Sequence, residues 1–475
     1  GSNTSLDLKI SDDEEPVVTF AASKDEIAEN GGSVVITANL SNAKLNPTTI
    51  NLGLTGTSTM SIDYLVSSIN KYANQAGQND NFGSANGEGT NAKFDAPISI
   101  AKYLDGSVLV ADYNNHTIRQ ISSNGIVSTF LGKPYNDQMG WERIGVSKDE
   151  LKLQNPNALA TDISTGNVFW TEHDRIYIYQ ASDQKVYILG SNTSSYGNVG
   201  KPGGLAWWNG ALYYSDLYNH TINKVTFDLS DGTISHERVA GDDGNNYSMW
   251  DFSDDGYGKR SIDQAAFYYP GRITVDAERN KMYVLGLDYF WNRYDNRAQA
   301  ITVIDFNTNE ISLLTRPGMD ISNALSVQHR KLVNDGTGVD ANGNPVSENP
   351  YFREISVSES GDLYVSVNLM SSGRKGYVAK ISFLDDGTPY VSDTIFDDDI
   401  RDPNGLTLSG SVLYIANTEG PTIGKINLGA NIEIPAMQVT GNVSIEAFKD
   451  PWFENDETID VNVGGIINGT SESND

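Results

Sequence analysis

One pattern recurs along most of this chain, and a recurring pattern fixes an architecture before any single motif does. Residues 94–132 read FDAPISIAKYLDGSVLVADYNNHTIRQISSNGIVSTFLG. A Pro opens a short strand, a Gly turn leads to an apolar strand, Asp-x-x-Asn leads to a third, and a further turn to a fourth. This order predicts one four-stranded antiparallel sheet. It returns as NPNALA, GNVFWTEHDRIYIYQ and KVYILG (155–190), and as KPGGLAWW, GALYYSDLYNHTINKVTF and SHERVAG (201–241). Three further copies are YPGRITVD, KMYVLGLDYFW, AITVIDF and EISLLT (269–315), then FREISVS, DLYVSV, YVAKISF and PYVSDTI (352–395), and DPNGLTLSGSVLYIANTEGPTIGKINL (402–428). The count is six blades, in an all-β chain.

Within these copies Asp112, Asn115, His116 and Ile118 return as Asp216, Asn219, His220 and Ile222. This signature resembles the NHL repeat of six-bladed β-propellers, over roughly three quarters of the chain, most closely in the first and third copies. The resemblance implies a propeller over residues 64–429. Its sixth blade has only three strands before the pattern stops at Leu428, whereas YLVSSINKYANQAG (64–77) matches the fourth strand of the other blades. That segment is expected to complete the last blade, so that no sheet edge stays open.

Two stretches remain, 14–63 and 430–475, with residues 1–13 read as a linker or a strand remnant of a preceding domain. Each half carries three alternating strands and looks incomplete alone. Joined, they resemble one Calx-beta domain, an immunoglobulin-like sandwich, through AENGGSVVIT, TSTMSIDY, IEIPAMQ and the acidic loop before DETIDVNV. The fold expected is therefore a six-bladed NHL-type β-propeller inserted into a Calx-beta-like β-sandwich. Calcium takes six to eight oxygen ligands from flexible loops. The resemblance carries its calcium positions onto Glu29, Asp63, Asp450, Glu454 and Glu457, with Asp456 as an extra. Lys449 and Pro451 stand where that family often has further acids.

Charge narrows the partners. With 62 acids against 33 bases the net charge is -29, which repels polyanions and makes nucleic acid and anionic membrane surfaces poor partners. The absence of cysteine removes disulfides, thiol catalysis and thiolate metal sites. No apolar run reaches the length of a membrane span. The opening GSN, without an initiating Met or signal peptide, is expected to be the trimmed start of a longer precursor, with a lipid anchor upstream. The pairing of Calx-beta with NHL repeats looks like a bacterial extracytoplasmic protein of the cell surface or periplasm.

Function is read along two lines. His116 and His220 recur at one place in the repeat, so they are expected to be structural, with His173 in the corresponding region of the second copy. Asp112 and Asp216 are expected to anchor turns by accepting backbone hydrogen bonds. Long loops between blades carry Trp141, Trp250, Tyr257, Tyr289, Phe290, Trp291 and Tyr294. Exposed aromatics beside polar groups suit a glycan or a protein partner at the propeller face. The expected function is non-catalytic binding or scaffolding. The rival is a lactonase-like or lyase-like propeller enzyme with a metal in the central channel, for which the sequence offers scattered acids but no ligand spacing.

Overall fold

The computed structural model describes residues 18–23, 33–41, 48–56, 64–66, 72–134, 145–148, 151–192, 199–241, 260–262, 267, 269–287, 299–315, 351–368, 375–384, 387–428, 431–434, 440–447 and 459–468. Two compact units emerge: residues 1–71 with 427–475, and Tyr72–Ile426.

The larger unit is a six-bladed β-propeller. Blade 1 runs Pro97–Lys102, Val108–Asp112, Thr117–Ile121 and Ile126–Gly132 in consecutive antiparallel order. Blade 2 is Leu159–Asp162, Asn167–Glu172, Arg175–Gln180 and Lys185–Ser191. Blade 3 is Pro202–Trp208, Ala211–Asp216, Thr221–Asp228 and Thr233–Gly241. Blade 4 is Ile273–Asp276, Lys281–Leu287, Gln299–Asp305 and Glu310–Thr315. Blade 5 is Tyr351–Val357, Leu363–Asn368, Lys375–Phe383 and Pro389–Arg401. Blade 6 is Pro403–Ser409, Val412–Asn417 and Thr422–Asn427, completed by Tyr72–Gly77. Two-residue strands add a fifth member to the outer edges of blades 1, 2 and 4.

The completing strand is shorter than the sequence suggests. Tyr72–Gly77 pairs with the last strand of blade 6, Ile426 opposite Tyr72 and Thr422 opposite Gly77. Tyr64–Val66 instead pairs with Thr440–Ala447 in the smaller unit. Two residues of Tyr72–Gly77 fit it to blade 6. Tyr72 is buried and its hydroxyl accepts from Asn417 Nδ2 at 2.8 Å. At Gly77, with φ of +85°, a Cβ would stand 2.5 Å from the Pro421 carbonyl oxygen, so only glycine fits.

Blades hold one another through their flat faces, which is why the second strands read as nearly continuous apolar runs. Trp170, Leu109 and Ile118 lie in the cluster between blades 1 and 2. Phe94, Ala76 and Ile423 fill the one between blades 6 and 1. A hydrogen bond or ion pair crosses every blade boundary: Leu159 N–H to Ser99 Oγ, His236 Nε2 with Leu189 O, and Ser215 Oγ to Gly271 O. Arg279 Nη2 to Ser360 O, Arg353 to Asp402, and Thr418 Oγ1 to Pro97 O continue the circuit.

The repeat signature supplies part of this. Asp112 is fully buried and accepts from Asp95 N–H at 2.7 Å, Asn115 Nδ2 at 2.8 Å and Arg119 Nη1 at 2.9 Å. Asp216 accepts the backbone N–H groups of Gly200, Lys201, Tyr218 and Asn219. Both therefore anchor turns. His116 and His220 take positive φ, 56° and 57°, and their Nδ1 atoms accept from the N–H of Asn155 and Tyr269, each at 3.1 Å, in the segments that lead into the next blade. His173 shares the positive φ, at 50°.

In the smaller unit, strands from both ends of the chain pair. One sheet orders Val18–Ala22, Ser33–Leu40, Thr440–Ala447 and Tyr64–Val66; the other orders Asn431–Ile434, Thr48–Gly56 and Ile459–Asn468. Ser33 lies opposite Glu446 and Gly56 opposite Ile459. Residues 35–40 alternate half-buried and buried, the period-two signature of a strand with one covered face.

Candidate functional site

The first strands of the six blades line the propeller axis. The residues one and two places after the Pro that opens each blade, within the first strand or just ahead of it, form two sets: Ile98, Asn157, Gly203, Gly271, Arg353 and Asn404, then Ser99, Ala158, Gly204, Arg272, Glu354 and Gly405. In blade 5 Phe352 stands in the place of the Pro. Small residues prevail in the second set because neighbouring backbones pass there. A Cβ on Gly204 would meet Gly271 O at 2.7 Å, and one on Gly405 would meet Ser99 Cα at 2.9 Å.

Two opposite charges break that set of small residues. Arg272, from blade 4, donates Nη1 to Gly203 O at 3.2 Å, and Nη2 to Asn157 Oδ1 at 3.0 Å and Ile98 O at 3.5 Å. Its Nε lies 3.3 Å from Glu354 Oε2 of blade 5. One guanidinium thus touches blades 1, 2, 3 and 5. Glu354 is buried and also accepts from Ile355 N–H. Burial pushes its carboxyl up to about 7, against the pull of Arg272.

Arg272 lines two cavities. One, of about 280 Å³, runs down the axis past Ala101, Thr161, Trp208 and Glu354. The other, of about 480 Å³, opens where the first strands begin, and every blade contributes to it. Lys201, Arg272 and Arg353 are its charged lining, with Tyr269, Tyr351 and Phe352 as its rings. Arg353 Nη2 donates to Asp402 Oδ1 at 3.2 Å, and its guanidinium lies 4.4 Å from the Tyr351 ring centre. Asp402 also accepts from Asn368 and Asn404. Lys201 is exposed, with Nζ 5.5 Å from the Tyr218 ring.

None of these residues is among those that the sequence singles out. The expected calcium ligands Glu29, Asp63, Asp450, Glu454, Asp456 and Glu457 lie outside the described residues. So do the aromatic candidates Trp141, Trp250, Tyr257, Tyr289, Phe290, Trp291 and Tyr294. Among the described residues no group of three or more His, Cys, Asp or Glu could hold a metal, and no helix is long and apolar enough to cross a membrane. A signal for Arg272 was present: in YPGRITVD an Arg stands where KPGGLAWW and DPNGLTL have Gly.

No protein-family model matches the chain, and no curated protein does. Among solved structures it is similar to a protein of unknown function from Bacteroides thetaiotaomicron, at 12% identity and a TM-score of 0.47, over 88% of this chain and 99% of that one. A gluconolactonase from Xanthomonas campestris is similar at 11% identity and a TM-score of 0.41, over 79% and 97%. An auxiliary nutrient binding protein from Bacteroides thetaiotaomicron gives 11% and 0.36, over 87% and 98%. Likeness at this level carries no functional weight, and the six sheets themselves are the ground for the fold.

Proposed function

We propose that the chain is a non-catalytic binding protein of the bacterial cell surface or periplasm, whose propeller receives a glycan or a protein segment at the cavity where the first strands begin. One observation carries this reading: the axis is crossed by Arg272. A channel metal needs several converging oxygen or nitrogen ligands. Here the axial set of the six blades offers a single carboxylate, Glu354, and a guanidinium is already paired with it. The larger cavity above has the size and the mixture of rings and polar groups that suit a bound ligand.

The test is a glycan and peptide array probed with the full chain and with Tyr351→Ala, run beside a lactone-hydrolysis assay with and without chelator. Binding that weakens in the variant, with no metal-dependent turnover, is the expected result. Chelator-sensitive hydrolysis lost in Glu354→Gln would establish the rival enzyme instead.

The two sheets of the smaller unit support reading it as a Calx-beta-like sandwich, and with that reading goes calcium at Glu29, Asp63, Asp450, Glu454, Asp456 and Glu457. A ligand at a hundred times its dissociation constant stabilises by about 2.7 kcal/mol. A melt raised by millimolar calcium in the parent, and not in Asp450→Ala/Glu457→Ala, is expected; equal melts would remove the metal from the account.

A further inference from the structure

We infer that the cavity at the propeller mouth binds a small organic anion, a carboxylate carried on a ring, between Lys201 and Arg353. The inference rests on the binding reading above and narrows it to a ligand class.

Charge distribution is the first ground. The chain holds 62 acids and 33 bases. Even so, the lining of this cavity contains, among the described residues, three cations and no carboxylate. With Glu354 and Asp402 behind the two arginines, Lys201 is, among the described residues, the unpaired cation of this lining, and in so acidic a molecule it makes the mouth less repulsive to anions than the surrounding surface.

The second ground is unused binding capacity. Arg272 is committed to Glu354 and to three other blades. Lys201 Nζ has no carboxylate within 4.0 Å among the described residues. Arg353 gives Nη2 to Asp402, but its Nε–H is buried without an acceptor. A buried donor left without a partner is rare in folded proteins and calls for one. A guanidinium takes a carboxylate through paired N–H groups, which a lone Lys cannot do.

The rings and the volume define the rest of the ligand. Tyr269, Tyr351 and Phe352 line the same cavity, and rings of this kind accept a sugar or aromatic face by stacking. About 480 Å³ is far more than a bare inorganic anion needs and lies within the range of small-molecule pockets.

Calorimetric titration of the full chain tests this with glucuronate as the probe, glucose as its neutral counterpart, and inorganic phosphate as a ringless anion. Glucuronate is expected to bind, with glucose and phosphate each about tenfold weaker or more. Lys201→Glu reverses an exposed charge and removes only a long contact with the exposed Tyr218 ring, so it is expected to melt like the parent and to weaken glucuronate by about tenfold. Arg353→Gln should weaken it too, but it also breaks the pair with Asp402, so the Lys201 variant decides the matter. Equal affinity for glucuronate and glucose, or an unchanged affinity in Lys201→Glu, overturns the inference. Phosphate binding as tightly as glucuronate overturns the ring. A neutral glycan or peptide that binds at Tyr351 while glucuronate does not would refute the anion and leave the binding reading standing. Metal-dependent lactone hydrolysis with no array ligand would refute the binding reading itself.

Discussion

Glu354→Gln is the sharpest probe of the propeller axis. Glu354 has an ordinary value of 4.5 and is pushed up to about 7 by burial. Between those values the folded chain holds a proton at this site that the unfolded chain has released. Stability therefore falls as pH rises from 4.5 to about 7, by about 1.4 kcal/mol for each pH unit. Glutamine keeps the shape and the neutral state at every pH. The variant should match the parent to within about 1 kcal/mol at pH 5 and exceed it by about 3 kcal/mol at pH 8. For a unit of roughly 350 residues, with an unfolding entropy of about 2.1 cal/mol/K per residue, that is a rise of about 4 °C in the propeller melt. Scanning calorimetry of both proteins at pH 5, 6, 7 and 8 gives the comparison. A gap that stays flat with pH, or a variant that melts lower at pH 8, would refute the reasoning, because it would mean that attraction to Arg272 outweighs burial.

Three further outcomes are expected. In His220, whose ring Nδ1 accepts from Tyr269 N–H, burial holds the ring below its ordinary value of 6.5 against the pull of Asp216. Its stabilisation is thus present above pH 6.5 and lost as pH falls through the lower folded value, so His220→Gln should flatten the acid limb of a stability–pH curve measured by urea titration. Asp112→Ala leaves Arg119, which is fully buried, without its carboxylate, and chemical denaturation should report a loss of about 3–5 kcal/mol. Gly424→Ala places a Cβ 2.0 Å from the Tyr72 ring. Hydrogen exchange should then show residues 72–77 opening well before the rest of blade 6, with protection there unchanged as the contrary result.

The blades were legible because their hairpins are local. GSVLVADYNNHTIRQI contains its turn, both strands and the buried Asp that holds the turn together, so the reading needed no distant residue. The completing strand was legible in kind but not in extent, since YLV and YANQAG are both short strand-like stretches within one run and only tertiary partners separate them. Arg272 and Glu354 were not picked out at all. Their meaning depends on six first strands converging, a relation among residues up to roughly three hundred positions apart, which no local period encodes. The sequence drew attention to loops rich in acids and aromatics, whereas the cations of the mouth sit one per strand start and form a group only after folding.

The pairing of Tyr72–Gly77 with Thr422–Asn427 bears on how this protein is made. The strand that completes blade 6 leaves the ribosome before the rest of the propeller, and its partner follows roughly 350 residues later. At about 5–20 residues per second, that wait lasts from roughly twenty seconds to more than a minute. During it, blades 1 to 5 can form in turn as their hairpins emerge, but the first and last of them keep an uncovered face. The nascent propeller is therefore most open to aggregation and to chaperones until Thr422–Asn427 has emerged, and the last step in closing the ring is the docking of Tyr72–Gly77.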